Sequence, residues 1–527
     1  MSELVPAVTA RAPSGMVCSV DHLASQAGLA MLRAGGSAAD AAVATSAVLA
    51  VTNPHLCGVG GDLLAMVVPP DGPPVALNAS GRAGSGADPD RLRSEGFTAM
   101  PFRGDIRSVT VPGCVDGWVA LHSRFGRLPL AEVLGPAEGY ARKGFPASPT
   151  LAAAAANVAE VAGAEDLTAG GPLRAGSLLR RPGMSGALLA IAAEGRAGFY
   201  LGAFGAELMA LGAGEYTEAD LARSQADWVE PLVTGAWGTS LWTVPPNSQG
   251  YLTLASAWIA AGLDVPEDPS DPVWAHLLVE ASRQAAGDRL GALYEGADGA
   301  ALLAEERLAP RRARIDPHRA AVMGGSYGAG DTIALTTVDR DRMGVSVLQS
   351  NASGFGSHLV LPGLRIFLHN RGIGFSLEQG HPGEYGPGRR PAHTLSPLAV
   401  TDPDGRLRGV LGSMGGDGQP QFLLQVLARW LVAGHEPGSA VAAGRWVLRG
   451  GQTGFDTWSA GGDDVTVVIE AHAPAAWAEG LAQLGHRVEA ARPFDHGFGH
   501  AHLISVEDGH LAGGTDPRPR FGAAAGY

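Results

Sequence analysis

The amino-acid sequence predicts a large layered protein that is built from both helices and strands. The chain has 527 residues, which is more than a single simple hydrophobic core can accommodate. We therefore expect either two domains or one large layered body. Hydrophobic residues make up 46% and charged residues 17% of the chain, a balance typical of a compact globular enzyme. Stretches with helical periodicity occur in the first 60 residues and in the middle of the chain, and runs of β-branched residues indicate strands.

Two helices are predicted near the N-terminus. Residues 21–33 repeat apolar side chains with a period near 3.6 and are followed by two glycines, a pattern typical of a helix end. Ser37 then begins an alanine-rich helix, and Asp40 three residues later completes a capping box. An Asn-Pro pair ends this helix, and residues 63–68 form an apolar run that predicts a strand.

The middle of the chain, residues 109–308, is rich in helical patterns. Residues 274–290 form its long amphipathic run. Residues 303–318 are charged and rich in arginine, and we expect an exposed connector there. This connector leads to the glycine-rich residues 324–330.

The glycine-rich residues give way abruptly to a strand-forming run that starts at Thr332. Residues 339–342 predict a polar turn, and residues 343–350 predict a returning strand. Folding this hairpin brings Gln349 or Ser350 opposite Thr332, at the distance of a cross-strand pair.

A threonine that a loop delivers to the start of a strand suits a self-cleaving hydrolase. If the bond between Asp331 and Thr332 is cut, Thr332 has a free α-amine beside its own hydroxyl, so one residue can serve as nucleophile and base. A hydroxyl on Ser350 could orient that amine. The alternative is that Thr332 is simply a good strand former.

A second region that could take part in catalysis is the glycine-rich turn within residues 410–420. A predicted strand, a turn and a helix N-terminus follow one another there, so unpaired backbone N–H groups could face an anion. Gly415 and Gly416 would let the backbone approach a reacting carbonyl, as in an oxyanion hole. An ordinary strand-to-helix turn explains the same glycines by positive φ angles.

Metal and disulfide sites are poorly supported by the sequence. His496, His500 and His502 have a metal-like spacing, but no cysteine lies nearby and a surface turn is the preferred interpretation. The three cysteines are widely spaced, so buried single thiols are expected.

The charge balance bears on the partners of the protein. There are 38 Lys and Arg residues against 52 Asp and Glu residues, which gives a formal net charge of -14. An acidic surface disfavours nucleic acid and anionic membranes. Neither a signal peptide nor a transmembrane run is visible, so a cytoplasmic location is expected.

Over nearly its whole length, the chain resembles the γ-glutamyltransferase family of N-terminal-nucleophile hydrolases. The motifs that carry the resemblance occur in the order typical of that family. They are residues 22–25, 35–44, 58–62, 110–113, 245–250, and 515–527.

The resemblance implies an α+β protein with an αββα four-layer sandwich, made as one precursor that cleaves itself before Thr332. The large fragment would be 1–331 and the small fragment 332–527, both within one folded body. Ser350 falls where the family carries a hydroxyl that supports the amine of the nucleophile. Gly415 and Gly416 fall on the oxyanion-hole pair, and no metal or organic cofactor is implied.

The substrate-binding positions depart from the transferase pattern. The family's arginine for the glutamyl carboxylate aligns with Ser80, although Arg82 lies two residues on. The aspartate that holds the glutamyl amine aligns with Gly374, where a charge-assisted partner is lost. His393 and Thr394 occupy the positions of the family's serine pair.

These departures bring the chain closer to the amidohydrolase branch of the family, which includes oxamate amidohydrolase and glutaryl-cephalosporin acylases. We therefore expect hydrolysis of an amide in a small carboxylate-bearing substrate. The alternatives are true γ-glutamyl transfer, including glutathione hydrolysis, or an inactive homologue that binds a metabolite. The sequence leaves open whether a homodimer forms. The candidate substrate-binding residues are Arg371, Arg82, Asn351, His393 and Thr394.

Overall fold

Two stacked antiparallel sheets form the centre of the protein in the computed structural model. The structure describes residues 8–168, 170–287, 289–321, 332–449 and 465–527. The hairpin that starts after Thr332 lies in the middle of one sheet, which we call sheet I. The strand before the glycine turn lies in the middle of the other, sheet II.

Each of the two large sheets contains seven described strands. In spatial order, sheet I consists of Ala523–Gly526, Met16–Ser19, Ile333–Val338, Gly344–Ser350, Asp62–Val68, Val75–Ala79 and Asp227–Val229. In the same way, sheet II consists of Ala10–Ala12, His510–Thr515, Ala501–Glu507, Leu407–Ser413, Leu398–Thr401, Thr239–Thr243 and Leu232–Ala236. Smaller sheets are formed by Trp446–Arg449 with Thr466–Glu470 and Arg487–Ala491, by Val360–Leu361 with Ile366–Phe367, and by Phe145–Pro146 with Leu178–Leu179.

The helices fall into two groups along the chain. The first group precedes residue 230 and consists of His22–Arg33, Ala38–Thr52, Pro89–Ser94, Cys114–Phe125, Leu130–Lys143, Pro149–Ala154, Glu165–Thr168, Pro182–Glu194, Arg196–Tyr200, Ala203–Leu211 and Glu218–Ala222. The second group consists of Gly250–Ala261, Pro272–Ala286, Arg289–Ala292, Gly299–Leu303, Glu305–Arg312, Gln419–Leu431, Pro437–Ala442 and Ala476–Gln483. Short 3-10 turns lie at Ile106–Ser108, Ala155–Val158, Arg371–Gly374, Gly416–Gly418 and His496–Phe498.

Three hydrophobic clusters define the four layers. The first joins the helix Ala38–Thr52 to strand residues of sheet I such as Val347. The second joins the helices Gly250–Ala261 and Gln419–Leu431 to sheet II. The third lies between the two sheets, where Ala334 and its neighbours meet side chains of sheet II. Helices therefore cover the outer face of each sheet, which confirms the predicted α+β fold with αββα layers.

The two predicted N-terminal helices are present with the expected ends. Asp21 caps the helix His22–Arg33 by accepting from the N–H of Leu23. Ser37 and Asp40 form both hydrogen bonds of the capping box. Every residue of Ala38–Thr52 is buried, because the helix is enclosed between sheet I and its neighbouring helices.

Two local expectations from the sequence hold only in part. Most of residues 303–318 are exposed or half-buried, as predicted, but the segment is not only a connector. It contains the helix Glu305–Arg312, in which Leu308 is buried. The guanidinium of Arg312 lies 4.3 Å from the ring centre of Trp258, so an arginine side chain covers apolar surface there. In the expected histidine-rich surface turn His496 is exposed, whereas His500 and His502 are buried.

None of the helices in the described part of the chain combines the length and the apolar character that a membrane span requires. The predicted glycine-rich loop, residues 324–330, lies outside the described residues.

Candidate active site

The hairpin places Thr332 beside Ser350. Ile333 pairs with Gln349 in the antiparallel register, so the residue before Ile333 lies opposite Ser350. The Thr332 hydroxyl donates to the Ser350 Oγ at 3.1 Å, and both side chains are fully buried. Of the two residues predicted to face Thr332, Ser350 therefore makes the contact. Asp331, the other side of the predicted cleavage point, lies outside the described residues.

The glycine turn lies at the same end of the sandwich as Thr332. A Cβ on Gly412 in sheet II would lie 3.3 Å from Ala334 in sheet I. Earlier in the same strand of sheet II, Leu407 lies against Gly344. The strand thus runs toward the end of sheet I at which Thr332 lies, and the glycine turn follows directly after it.

Both glycines of the turn have backbone angles that favour glycine. Gly415 has φ 131° and Gly416 has φ 54°. A Cβ on Gly415 would lie 2.5 Å from the ring of Phe422, so a side chain is also excluded by space. Among the described residues, no acceptor bonds the N–H of Gly415 or Gly416. Two such N–H groups ahead of the helix Gln419–Leu431 can stabilise a negatively charged oxygen.

A buried charged cluster adjoins Ser350 on its other side. Asp62 is the register partner of Ser350 in the neighbouring strand of sheet I. Its Oδ2 accepts from the Arg371 Nε at 2.8 Å, lies 2.8 Å from the His393 Nε2, and lies 3.5 Å from the His369 Nδ1. We call these four residues, Asp62, His369, Arg371 and His393, the Asp62 cluster.

Charge and burial set the protonation states of this cluster. Burial raises the pKa of the Asp62 carboxyl, but Arg371 and His393 together hold that pKa well below its usual range. Burial and the positive charge of Arg371 lower the pKa of His393 to about 4. At neutral pH the cluster therefore contains an ionised Asp62, a charged Arg371 and a neutral His393.

Gln249 connects the Asp62 cluster to the glycine turn. Its side-chain nitrogen donates to the carbonyl oxygens of Gly416 and Thr394, at 2.9 Å each. The Thr394 hydroxyl in turn accepts from the Arg371 Nη1 at 3.3 Å. The Gln249 Oε1 accepts from Arg289, which is also paired with Asp417 at 2.6 Å. One network of contacts thus links the glycine turn with the residues that surround Ser350.

Asn351 holds the end of the hairpin against the loop after the second helix. Its backbone N–H donates to the Leu56 carbonyl at 3.0 Å, and its Nδ2 donates to the Pro54 carbonyl at 3.1 Å. These two separate contacts fix the position of Asn351, which directly follows Ser350 in the chain.

Arg82 lies in a different ion-pair cluster. Its Nη2 donates to Asp227 at 2.9 Å and lies 3.7 Å from Glu295. Arg390 shares the same Asp227 oxygen at 2.9 Å. Among the described residues, Arg82 makes no direct contact with the Asp62 cluster or the glycine turn. Its cluster reaches His393 only indirectly, because Arg390 donates to the Asn78 carbonyl, Asn78 donates to Asn247, and Asn247 accepts from the His393 N–H.

Gly374 borders an open cleft beside this network. It ends the 3-10 turn Arg371–Gly374, and with Arg289 and His381 it lines this cleft. A Cβ on Gly374 would lie 2.4 Å from the carbonyl oxygen of Ala392, which is backbone and cannot rotate away. A larger residue is therefore excluded at this position without a shift of the chain.

Sequence reasoning did not single out Asp62 or Gln249, which join the predicted residues together. A usable signal was present for Asp62, because this carboxylate starts the strand Asp62–Val68. All six remaining residues of that strand are apolar and buried. Buried carboxylates need partners, so such a residue indicates a cluster. For Gln249 the signal was its place within residues 245–250, one of the stretches that carry the family resemblance.

Comparison with known proteins agrees with this geometry. The gamma-glutamyltranspeptidase family model matches residues 24–527. The chain is 38% identical to the oxamate amidohydrolase proenzyme of Klebsiella pneumoniae subsp. pneumoniae, over 97% of this chain and 98% of that protein. It is 34% identical to the glutathione hydrolase-like YwrD proenzyme of Bacillus subtilis, over 97% and 98%.

A solved structure extends the match to the whole fold. The crystal structure of cephalosporin acylase from Bacillus halodurans superimposes with a TM-score of 0.90 and 32% identity, covering 100% of this chain and 98% of that one. The acylase ACY 1 proenzyme of Pseudomonas sp. (strain SE83) is 30% identical over 90% of this chain and 87% of its own. These similarities confirm the resemblance to the amidohydrolase-like branch. The chain therefore belongs to the gamma-glutamyltranspeptidase family, whose members hydrolyse or transfer at amide bonds.

Proposed function

We propose that the protein is a self-cleaving amidohydrolase that uses Thr332 as its nucleophile and water as its acceptor. The observation that carries this proposal is the buried hydrogen bond from the Thr332 hydroxyl to Ser350, beside the Asp62 cluster. Thr332 lies where two sheets, a glycine turn and a charged cluster meet, which a threonine serving only as a strand former does not require.

Self-cleavage would proceed through the same hydroxyl. The Thr332 Oγ1 attacks the carbonyl carbon of the preceding peptide bond, and the nitrogen of Thr332 leaves as an amine, so that an ester forms. Water then hydrolyses the ester and regenerates the hydroxyl. The products are the fragments 1–331 and 332–527, and Thr332 now carries its α-amine and hydroxyl together.

Amide hydrolysis would repeat this chemistry on a substrate. The α-amine takes the proton of the Thr332 hydroxyl, Oγ1 attacks the amide carbon, and the amine gives the proton to the leaving nitrogen. The N–H groups of Gly415 and Gly416 would stabilise the oxyanion of the tetrahedral intermediate. Water, deprotonated by the same amine, then releases the acid from the acyl-enzyme. Ser350 would orient the hydroxyl and the amine.

The charged cluster supports a substrate that carries a carboxylate. Arg371 and the hydroxyl of Thr394 lie together beside the nucleophile, and a guanidinium is well suited to a carboxylate. His393 and Asn351 would form the wall of the same site. Arg82 would act, if at all, from its neighbouring cluster with Asp227. The oxamate amidohydrolase relative supports a small substrate, and the acidic balance of the chain supports a small molecule over nucleic acid or an anionic membrane.

True γ-glutamyl transfer is less well supported by the geometry around Gly374. That residue stands where the family's aspartate holds the glutamyl amine, and the carbonyl of Ala392 leaves no room for a side chain. An ammonium group placed there would lack its carboxylate partner, which costs about 1.5–3 kcal/mol for a hydrogen bond to a charged group.

The test of the nucleophile is the mass of the purified protein under denaturing conditions. Wild type is expected as two fragments that meet between residues 331 and 332, whereas Thr332→Ala should stay as one chain. Thr332→Ser is the matched control, because it keeps a hydroxyl and should still be cut. An uncut wild-type chain would favour the inactive, metabolite-binding homologue.

Substrate class is tested with the cut enzyme. Ammonia release from oxamate is expected to exceed aniline release from a γ-glutamyl anilide, and Thr332→Ala should release neither. A faster reaction with the γ-glutamyl anilide, increased by an added dipeptide acceptor, would instead establish γ-glutamyl transfer.

A further inference from the structure

A cluster of two histidines and one glutamate lies away from Thr332, in the helical layer that covers sheet II. His276 and Glu280 lie four residues apart on the helix Pro272–Ala286, so they project from the same face. His486 follows the helix Ala476–Gln483 and meets them there. One ligand atom from each of these residues lies within 4.8 Å of the others.

The two histidines present ring nitrogens to each other. The His276 Nδ1 lies 2.7 Å from the His486 Nε2. The other nitrogen of His276, Nε2, lies 2.8 Å from the carbonyl oxygen of Asp316 and must donate its hydrogen to it. This contact fixes the tautomer, so the Nδ1 of a neutral His276 carries a lone pair. A ring nitrogen held in this way by a backbone carbonyl is the usual arrangement of a metal-binding histidine.

The three side chains are shielded from solvent. His276 and Glu280 are fully buried, and His486 is 8% exposed. Arg283 pairs with one oxygen of Glu280 at 2.9 Å, and the N–H of Ala321 donates to the other at 3.3 Å. A nearby cation would stabilise the buried carboxylate further.

We propose that His276, Glu280 and His486 bind one borderline divalent cation of the Zn²⁺ class. Two imidazoles and one carboxylate are a common set of protein ligands for zinc, and the nitrogen ligands select against Mg²⁺ and Ca²⁺. Ligands at about 2.1 Å from a tetrahedral ion lie about 3.4 Å apart. The two rings would therefore separate by about 0.7 Å from their present contact, while the carboxylate moves inward; both shifts are within the reach of side-chain rotation.

The position of the ligands suggests what the cation would do. His276 and Glu280 belong to residues 1–331, whereas His486 belongs to residues 332–527. If the chain is cut before Thr332, as proposed above, the ion would cross-link the two fragments. This consequence rests on the proposed function, but binding of the cation does not.

The experiment uses untagged full-length protein that has been dialysed against EDTA and then against chelator-free buffer. Titration with ZnCl₂ in a calorimeter is expected to give one Zn²⁺ per chain, and MgCl₂ is expected to give no binding at this site. Glu280→Gln and His486→Gln should each lower the affinity for Zn²⁺ by at least about 10-fold. His510→Gln, which changes a histidine outside the cluster, should bind Zn²⁺ as wild type does.

Circular dichroism shows whether each variant is folded, and Glu280→Gln keeps the contact between the two histidines if His486→Gln unfolds. Thr332→Ala, which stays in one piece if the proposed function holds, should bind Zn²⁺ as tightly as wild type. The Zn²⁺ titration can therefore be interpreted even if the protein does not cleave itself. Folded wild-type protein that binds no Zn²⁺, or a Glu280→Gln variant that binds it unchanged, would overturn the proposal.

Discussion

Two buried ionic clusters in this protein differ in how completely their carboxylate oxygens are hydrogen-bonded. The first is the Asp62 cluster beside Thr332. The second, which we call the Arg518 cluster, consists of Arg445, Glu470, Asp516 and Arg518 near the C-terminal end of the chain. All four of its side chains are almost completely inaccessible to solvent.

In the Arg518 cluster every carboxylate oxygen has a partner. Arg518 donates to both oxygens of Glu470 and to Asp516, and its remaining donors reach the carbonyls of Val441 and Ala443. Burial raises the pKa of Asp516, but Arg518 and Arg445 hold that pKa well below its usual range. Its carboxylates have no unused oxygen for a ligand, although the Arg445 Nε has no hydrogen-bond partner among the described residues. The cluster therefore serves to join the C-terminal strand region to the rest of the fold.

In the Asp62 cluster the contacts concentrate on one atom. Arg371, His393 and His369 all approach the Oδ2 of Asp62, while its Oδ1 has no hydrogen-bond partner among the described residues. A carboxylate oxygen with unused capacity, next to a neutral histidine and an arginine, can accept a hydrogen bond from a bound donor or respond to a change in protonation. The difference between the clusters therefore separates a structural network from one that is suited to a ligand.

The largest expected effect tests the structural side of this comparison. Arg518→Met leaves Glu470 and Asp516 buried with too few positive partners, so we expect the free energy of unfolding to fall by about 3–5 kcal/mol. Urea denaturation measures the change. Arg492→Met is the control, because its side chain is 89% exposed, and it should change stability by less than about 0.5 kcal/mol. A loss below about 1 kcal/mol for Arg518→Met would contradict the structural assignment.

The next effect tests the other cluster. Arg371→Met removes the charged donor proposed to hold the substrate carboxylate, so KM for oxamate should rise by about 10²-fold, equivalent to about 2.7 kcal/mol. Self-cleavage should remain, since Thr332 and Ser350 are unchanged. Arg492→Met again serves as the control and should leave KM as in wild type. An unchanged KM in Arg371→Met would remove this arginine from the substrate site.

The same variant has a pH dependence that follows from the pKa of His393. Arg371 helps to hold that pKa near 4, so its removal should raise the pKa of His393 and let an imidazolium pair with Asp62. The folded variant then gains a proton as pH falls toward 5, whereas wild type does not. The loss of stability relative to wild type should therefore be larger at pH 7.5 than at pH 5.5 in urea denaturation. An equal loss at both values would show that His393 does not take up the charge.

The elements that sequence reasoning predicted correctly depend on neighbouring residues. Ser37 and Asp40 are three residues apart, and the hairpin that brings Ser350 to Thr332 closes through one short turn. Periodicity, capping and turn chemistry act over such distances, so they can be interpreted without knowledge of the fold. The αββα layers and the branch of the family followed from the resemblance.

The features that sequence reasoning missed depend on residues far apart in the chain. Arg371 and His393 reach Asp62 across 309 and 331 positions. The limit on Gly374 comes from the carbonyl of Ala392, which no local pattern reveals. The roles of Thr332, Gly415 and Gly416 remain predictions until the protein is tested.

The smallest expected effect concerns Ser350, which links the Asp62 cluster to the nucleophile. Its Oγ accepts from the Thr332 hydroxyl and from the N–H of Ala352 at 2.8 Å, so it orients Thr332 rather than carrying charge. Ser350→Ala should slow self-cleavage and oxamate hydrolysis by about 10-fold, the value of one net hydrogen bond of about 1.4 kcal/mol. Measured rates should fall while the free energy of unfolding changes little more than in the control.

Ser346→Ala is the matched control for this variant. It lies in the same strand and on the same face, but its hydroxyl donates to the carbonyl of Leu411 in sheet II. Removing that hydroxyl should cost about 1 kcal/mol of stability and leave the cleavage rate unchanged. If Ser346→Ala slows cleavage as much as Ser350→Ala, the effect comes from a loosened strand. If only Ser350→Ala slows cleavage, the Ser350 hydroxyl next to Asp62 acts on Thr332 directly. The Asp62 cluster and the nucleophile then form one site.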